Sequence, residues 1–256
     1  MSDIKLLSEL TDKRKETSVK ILNISQALII SSLKSMKFSD LCNCIKKYCD
    51  IDILFAQRFL DELDINELKN KAGCENLYNL TESLDILVKL NKKTAAEILS
   101  AADKNALAKS AGRELFENPP AGISTVLYKL SKINLNAAKE IYRLTAHEKL
   151  AGYLTLFNSQ ECLCKHLHYL SLIDQEQTLP LTKYLNIETL FYETNNQPLI
   201  YITAILSMLS DIDPALADKL FNKYGAERLA ARAENEVGIA FDAGKITLGN
   251  FIKIFH

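Results

Sequence analysis

Residues 202–233 read ITAILSMLSDIDPALADKLFNKYGAERLAARA, and the spacing of their apolar side chains returns four times upstream. Anchored on Ala217, the pattern places Ile202, Leu206, Leu209 and Ile212 before the anchor and Leu229 twelve residues after it. The same offsets around Thr178 give Leu163, Leu167, Leu170, Ile173 and Leu190, and around Ala138 give Ile123, Leu127, Leu130, Ile133 and Leu150. Around Ala95 they give Leu80, Leu84, Leu87, Leu90 and Leu107, and around Ala56 they give Leu41, Ile45, Tyr48, Ile51 and Leu68. Of these 30 positions 29 are apolar, where a chain that is 48% hydrophobic supplies about 14 by chance.

The anchors stand 39, 43, 40 and 39 residues apart, the period of a stacked helical array. Ile202, Leu206 and Leu209 fall at i, i+4 and i+7, one face of a first helix. Four residues before each anchor stands Asp52, Asn91, Asn134, Asp174 or Asp213, side chains that accept from the free N–H groups opening a helix. A second helix is expected there, and Pro214 suits its first position because no N–H is needed. Asp64, Asp103, Asn186 and Gly225 follow eight residues after their anchors and read as the end of that helix. A short third helical turn then carries pairs such as Leu68 with Ala72 and Leu229 with Ala233.

The expected fold is all-α, a right-handed α-solenoid of about five repeats of ~40 residues forming one domain over residues 1–256. Residues 1–40 are expected to be N-terminal cap helices and residues 41–235 the repeats. Residues 236–256 would be a C-terminal cap or docking segment. A small Ala anchor lets helices approach closely, and a large side chain would overpack that seam.

With 31 Lys and Arg against 32 Asp and Glu, the chain has a formal net charge of −1, which gives no basic footprint for nucleic acid. Nor does it carry a Trp for base stacking. The six Cys, without a secretory signal, read as reduced thiols of a cytoplasmic protein, and no apolar run has the length of a membrane span.

Repeat four departs most from the pattern. Its anchor is Thr178, and Pro180 either breaks a helix begun at Asp174 or places the helix start late, with Thr178 as its cap. CLCKHLH in the same repeat alternates Cys162, Cys164, His166 and His168. On a helix the four fall on two flanks of the Leu163 and Leu167 stripe, so no metal site is expected. Residues Arg113 to Gly122 hold the surplus that lengthens one period and contain Asn118, Pro119 and Pro120, a loop signature. Tyr153, Tyr169, Tyr184, Tyr192 and Tyr201, with His166 and His168, are the candidate binding residues, since Tyr gives large contact area at low entropy cost.

No P-loop, GxSxG, HExxH, Rossmann glycine pattern or CxxC pair appears, so no enzyme activity and no cofactor is expected. The unit LxxLSxIDPxLAxKL, from Leu206 to Leu220, resembles the leucine-rich helical repeats appended to bacterial STAND-type NTPases and related defence proteins. Its layout is also similar to HEAT, armadillo and TPR arrays, although the NTPase domain and the TPR pattern of Trp, Gly and Tyr are missing. The resemblance covers Leu41 to Ala233 and implies a stand-alone array acting as adaptor, sensor or regulator through a protein or peptide partner. The alternative expectation is a HEAT-like nucleic-acid binder or base-processing enzyme. Phe251, Ile252 and Phe255 are a candidate contact for a second copy.

Overall fold

The computed structural model describes residues 17, 20, 35–117 and 122–242, and every regular element among them is helical. No helix among the described residues is long and apolar enough to cross a membrane. Most of the expected N-terminal cap and the contact residues Phe251, Ile252 and Phe255 lie outside the described residues.

The chain divides into two compact units: Met1–Ala111 with Lys132–Ala137, and Gly112–Ser131 with Ala138–His256. In the first, α1 (Phe38–Ile51), α2 (Ile53–Asp61) and α3 (Ile65–Ala72) are followed by α4 (Leu77–Val88), α5 (Lys92–Ala101) and α6 (Lys104–Lys109). A short α7 (Arg113–Glu117) opens the second unit and occupies part of the long spacing. Then come α8 (Ile123–Ile133), α9 (Leu135–Leu144) and α10 (His147–Leu154), and α11 (Gln160–Ser171), α12 (Gln175–Thr178) and α13 (Ile187–Thr194). The chain continues through α14 (Leu199–Ile212), α15 (Pro214–Tyr224) and α16 (Ala226–Asp242). Helix α16 passes unbroken through residues 235 and 236, where the sequence suggested a change from repeat to cap.

The apolar pattern is the core. Of its 30 positions 28 are buried; Ile51 is exposed beside Ile53 and Leu54, and Leu206 is half-buried. Burial of such side chains contributes roughly 1.5–3 kcal/mol each relative to exposure. In the first unit α1 packs on α2 and α4, and the Tyr48 ring meets Phe55 and Phe59 edge-on at 5.2 and 5.3 Å. In the second, α11 packs on α14, and α14 packs on α15.

Every member of the Asp and Asn column caps a second helix. Asp52 accepts from the backbone N–H of Leu54 and Phe55, Asn91 from Thr94, Asn134 from Ala137, Asp174 from Gln177 and Asp213 from Ala215. In repeat four the helix therefore begins at Asp174. Pro180 does not prevent it but tightens the continuation into a 3-10 helix, Leu179–Tyr184. Asp174 is also the most enclosed of the five caps. Burial raises its carboxyl, but Arg143 Nε at 2.6 Å, the Gln177 N–H and Lys139 at 3.6 Å outweigh that and hold it below the ordinary range.

Of the residues read as helix ends, Gly225 is one, closing α15 with its N–H donating to the Phe221 carbonyl, and the other three serve as starts. Asp64, Asp103 and Asn186 cap α3, α6 and α13 by accepting from Asn66, Ala106 and Thr189. Gly225 takes φ +81° before α16, where a side chain would strain the backbone. The corresponding residue before α10 is exposed Ala146, which has no acceptor to offer. Ala146→Asp should therefore stabilise the protein by about 1 kcal/mol in urea denaturation. Unchanged or reduced stability would show that the start of α10 is held by something other than its cap.

Candidate functional site

Three-helix sets need a device that joins the third helix to the start of the first, and it is formed by residues 15 and 19 positions after the anchors. In the first unit Lys71 Nζ donates to the Met36 carbonyl at 2.9 Å, and Glu75 accepts from the Ser39 N–H at 2.9 Å. Ser110 accepts from the Leu77 N–H at 3.0 Å. In the second unit Glu193 accepts from Gln160 N–H, Glu161 N–H and the Ser159 hydroxyl at 3.1, 2.9 and 3.1 Å. Arg232 donates to the carbonyls of Asn195 and Gln197, while Glu236 accepts from the Leu199 N–H at 2.7 Å. The bonds accepted from the N–H groups of Ser39, Leu77, Gln160, Glu161 and Leu199 satisfy donors that a helix start leaves without an intrahelical partner.

Tyr153 holds the same position in repeat three, and with it the device becomes a buried polar cluster. Ser124 Oγ lies 2.8 Å from the Tyr153 hydroxyl and 2.6 Å from His166 Nδ1. The Ser124 backbone also bonds the phenol, which burial pushes up to about 12 against the lowering by Ser124. One consistent arrangement has Tyr153 donating to Ser124 and Ser124 donating to a neutral His166. Burial, helped by Lys165, lowers His166 to about 4. Phe116 and Phe157 ring Tyr153 at 6.5 and 5.2 Å, and Phe157 lies 4.7 Å from His166. Ser124 is fully enclosed, so the three side chains satisfy one another and present no nucleophile at the surface.

The structure thus brings Tyr153, His166 and Tyr169 together, but with different exposures. Tyr153 is 1% exposed and His166 5%, so both face inward. Tyr169 is half-buried, 5.7 Å from His166, and stacks on Tyr128 at 4.3 Å. His168 lies elsewhere on α11, with Nδ1 3.7 Å from Asp211. Tyr184 is half-buried under Lys183, 5.2 Å away. Cys164 is buried, its thiol pushed up to about 12 by burial, whereas Cys162 is exposed. No group of three His, Cys, Asp or Glu among the described residues is placed to hold a metal ion.

Tyr192 and Tyr201 are the candidates that face solvent, at 70% and 50% exposure, and Ile200 beside them is 62% exposed. They flank the turn Asn195 to Pro198 between α13 and α14. That turn is fixed from behind by Arg232 and Glu236. The end of α13 is fixed as well, because Tyr224 bonds Thr194, whose hydroxyl donates to the Leu190 carbonyl at 2.7 Å, and Phe191 meets the Tyr224 ring at 5.2 Å. Lys223 pairs with Glu188 between the same two helices. Two tyrosines, an isoleucine and the exposed Pro198 consequently stand on a backbone with little freedom, beside the side-chain amides of Asn196 and Gln197.

No protein-family model matches the chain, and no curated protein or solved structure is significantly similar to it.

Proposed function

We propose that this chain is a non-catalytic interaction module, an α-solenoid of five three-helix repeats that binds a protein or peptide partner. The burial of the repeated apolar positions and the recurrence of the caps support the array. The observation that carries the binding surface is the exposure of Tyr192, Ile200 and Tyr201 around a turn clamped by Arg232 and Glu236. Rigid aromatic side chains lose little entropy on binding, and the neighbouring Asn and Gln amides offer donors and acceptors to a partner backbone.

The test is selection of a displayed random-peptide library on the purified full chain, followed by affinity measurement. Tyr201→Ala should weaken selected peptides about thirtyfold, as loss of a ~2 kcal/mol anchor does, and Tyr192→Ala should act in the same direction. Tyr78→Ala, at an exposed tyrosine of the first unit, should leave affinity unchanged. Equal binding by the wild type and the Tyr192 and Tyr201 double variant would overturn the proposal.

A further inference from the structure

Four positions that are buried in most or all of the earlier repeats open in the last one. Cys42, Thr81, Ser124 and Cys164 are fully buried fourteen residues before their anchors, whereas Thr203 is half-buried. Eleven residues before, Ile45, Leu84, Leu127 and Leu167 are fully buried and Leu206 is not. Four residues after, Leu60, Leu99 and Tyr142 are buried and Thr182 is half-buried, but Phe221 is 41% exposed. Sixteen after, Ala72, Ala111, Leu154 and Thr194 are buried while Ala233 is half-buried, and of the five anchors only Ala217 shows measurable exposure.

The common cause is the missing neighbour. Within the first unit α1 packs on the α4 that follows it, and within the second α11 packs on α14. No described helix stands in that relation to α14. Thr203, Leu206, Phe221 and Ala233 therefore line a seat shaped for the first helix of another unit, and a free apolar flank of this kind is what terminal caps of repeat arrays cover.

The sequence after α16 supplies a matching stripe. Displacing Leu206, Leu209 and Ile212 by 42 residues, inside the 39 to 43 spread of the earlier repeats, lands on Leu248, Phe251 and Ile254. Ile252 and Phe255 add apolar surface beside them. The connection is short enough, because Glu236 of α16 is bonded to the first turn of α14 and Leu248 stands six positions after Asp242, a reach of about 20 Å. Helix α14, with 14 residues, is itself about 21 Å long.

We propose that this chain's own residues 248–255 dock on the seat of Thr203, Leu206, Phe221 and Ala233 and close the array. The proposal rests on the repeat reading above, but its test is separate, since peptide affinity reads the Tyr201 surface and backbone exchange reads the seat. Hydrogen exchange of the amides from Thr203 to Ser207 is measured in the full chain, in Phe251→Ser with Ile254→Ser, in Leu206→Ser, and in the combined variant. The segment variant and the seat variant should each lose at least tenfold in protection, and the combined variant should lose little more than either. Unchanged protection in the segment variant, or fully additive losses, would overturn the proposal. Sedimentation velocity on the same samples distinguishes a second copy as the occupant: a species of twice the mass whose dissociation on dilution removes the protection would also overturn it.

Discussion

On lowering the pH from 7.5 to 4, the protein should lose about 3 kcal/mol of stability through His166 alone. The sign follows from the direction of the shift. In the folded state burial keeps the imidazole neutral down to about 4, whereas the unfolded chain takes up the proton near the ordinary value of 6.5. The contribution is complete above pH 6.5, declines as the unfolded state gains its proton, and is lost by the time pH falls through 4. Its source is the enclosure of the ring by Tyr153, Phe157 and Ser124, where a positive charge has too little solvent. Urea denaturation across this range, compared between wild type and His166→Gln, isolates the residue from other titrating groups. The wild-type advantage at pH 7.5 should shrink by about 3 kcal/mol at pH 4. A constant gap would mean that His166 is solvated in the folded protein. Asp174 operates in a different window, because its lowered carboxyl contributes stability that is lost only as pH falls below the ordinary Asp value of 3.8.

Ala95→Phe should destabilise the protein by about 3 kcal/mol, the upper part of the usual range for overpacking. Ala95 has no accessible surface and lies on α5 with Ile98 and Leu99 buried beside it. Ala217→Phe should cost less, since its anchor keeps 8% exposure on the open flank of the last repeat. Lys219→Ala, exposed on the same helix as Ala217, should stay within about 0.5 kcal/mol. Equal shifts in the denaturation midpoint for Ala95→Phe and Lys219→Ala would remove the anchor column as the seam of the repeats.

The anchors and their capping column were legible because they depend on local chemistry at fixed spacing. An Asp or Asn four residues before a small apolar residue has the same task in every repeat. The second capping column is visible as residues but not in its role: the spacing attaches Asp64, Asp103 and Asn186 to the helix behind them, whereas they open the helix ahead. With only two or three residues between these helices, an end and a start stand side by side. Thr178 looked like a damaged anchor, and in the structure its hydroxyl lies 3.0 Å from that of Tyr142, a polar substitution matched by another one repeat earlier. Tyr153 and His166 are candidate binding residues in the sequence, but the structure buries both. The available signal was Ser124, in a column of small side chains with Cys42, Thr81, Cys164 and Thr203, of which all but Thr203 are buried.

The joint between third and first helices escaped the sequence for a different reason. Ser110, Tyr153, Glu193 and the basic–acidic pairs Lys71 with Glu75 and Arg232 with Glu236 share a task but not one chemistry, so no single residue type marks the position. Their geometry nevertheless orders events in time. Each bond joins residues 29 to 37 positions apart, and the later partner always belongs to the third helix or the residues just after it. As the chain leaves the ribosome, the start of each first helix remains without this closure until the rest of its repeat has been made. The smallest portion of nascent chain that can lock is therefore one three-helix set, about 40 residues long.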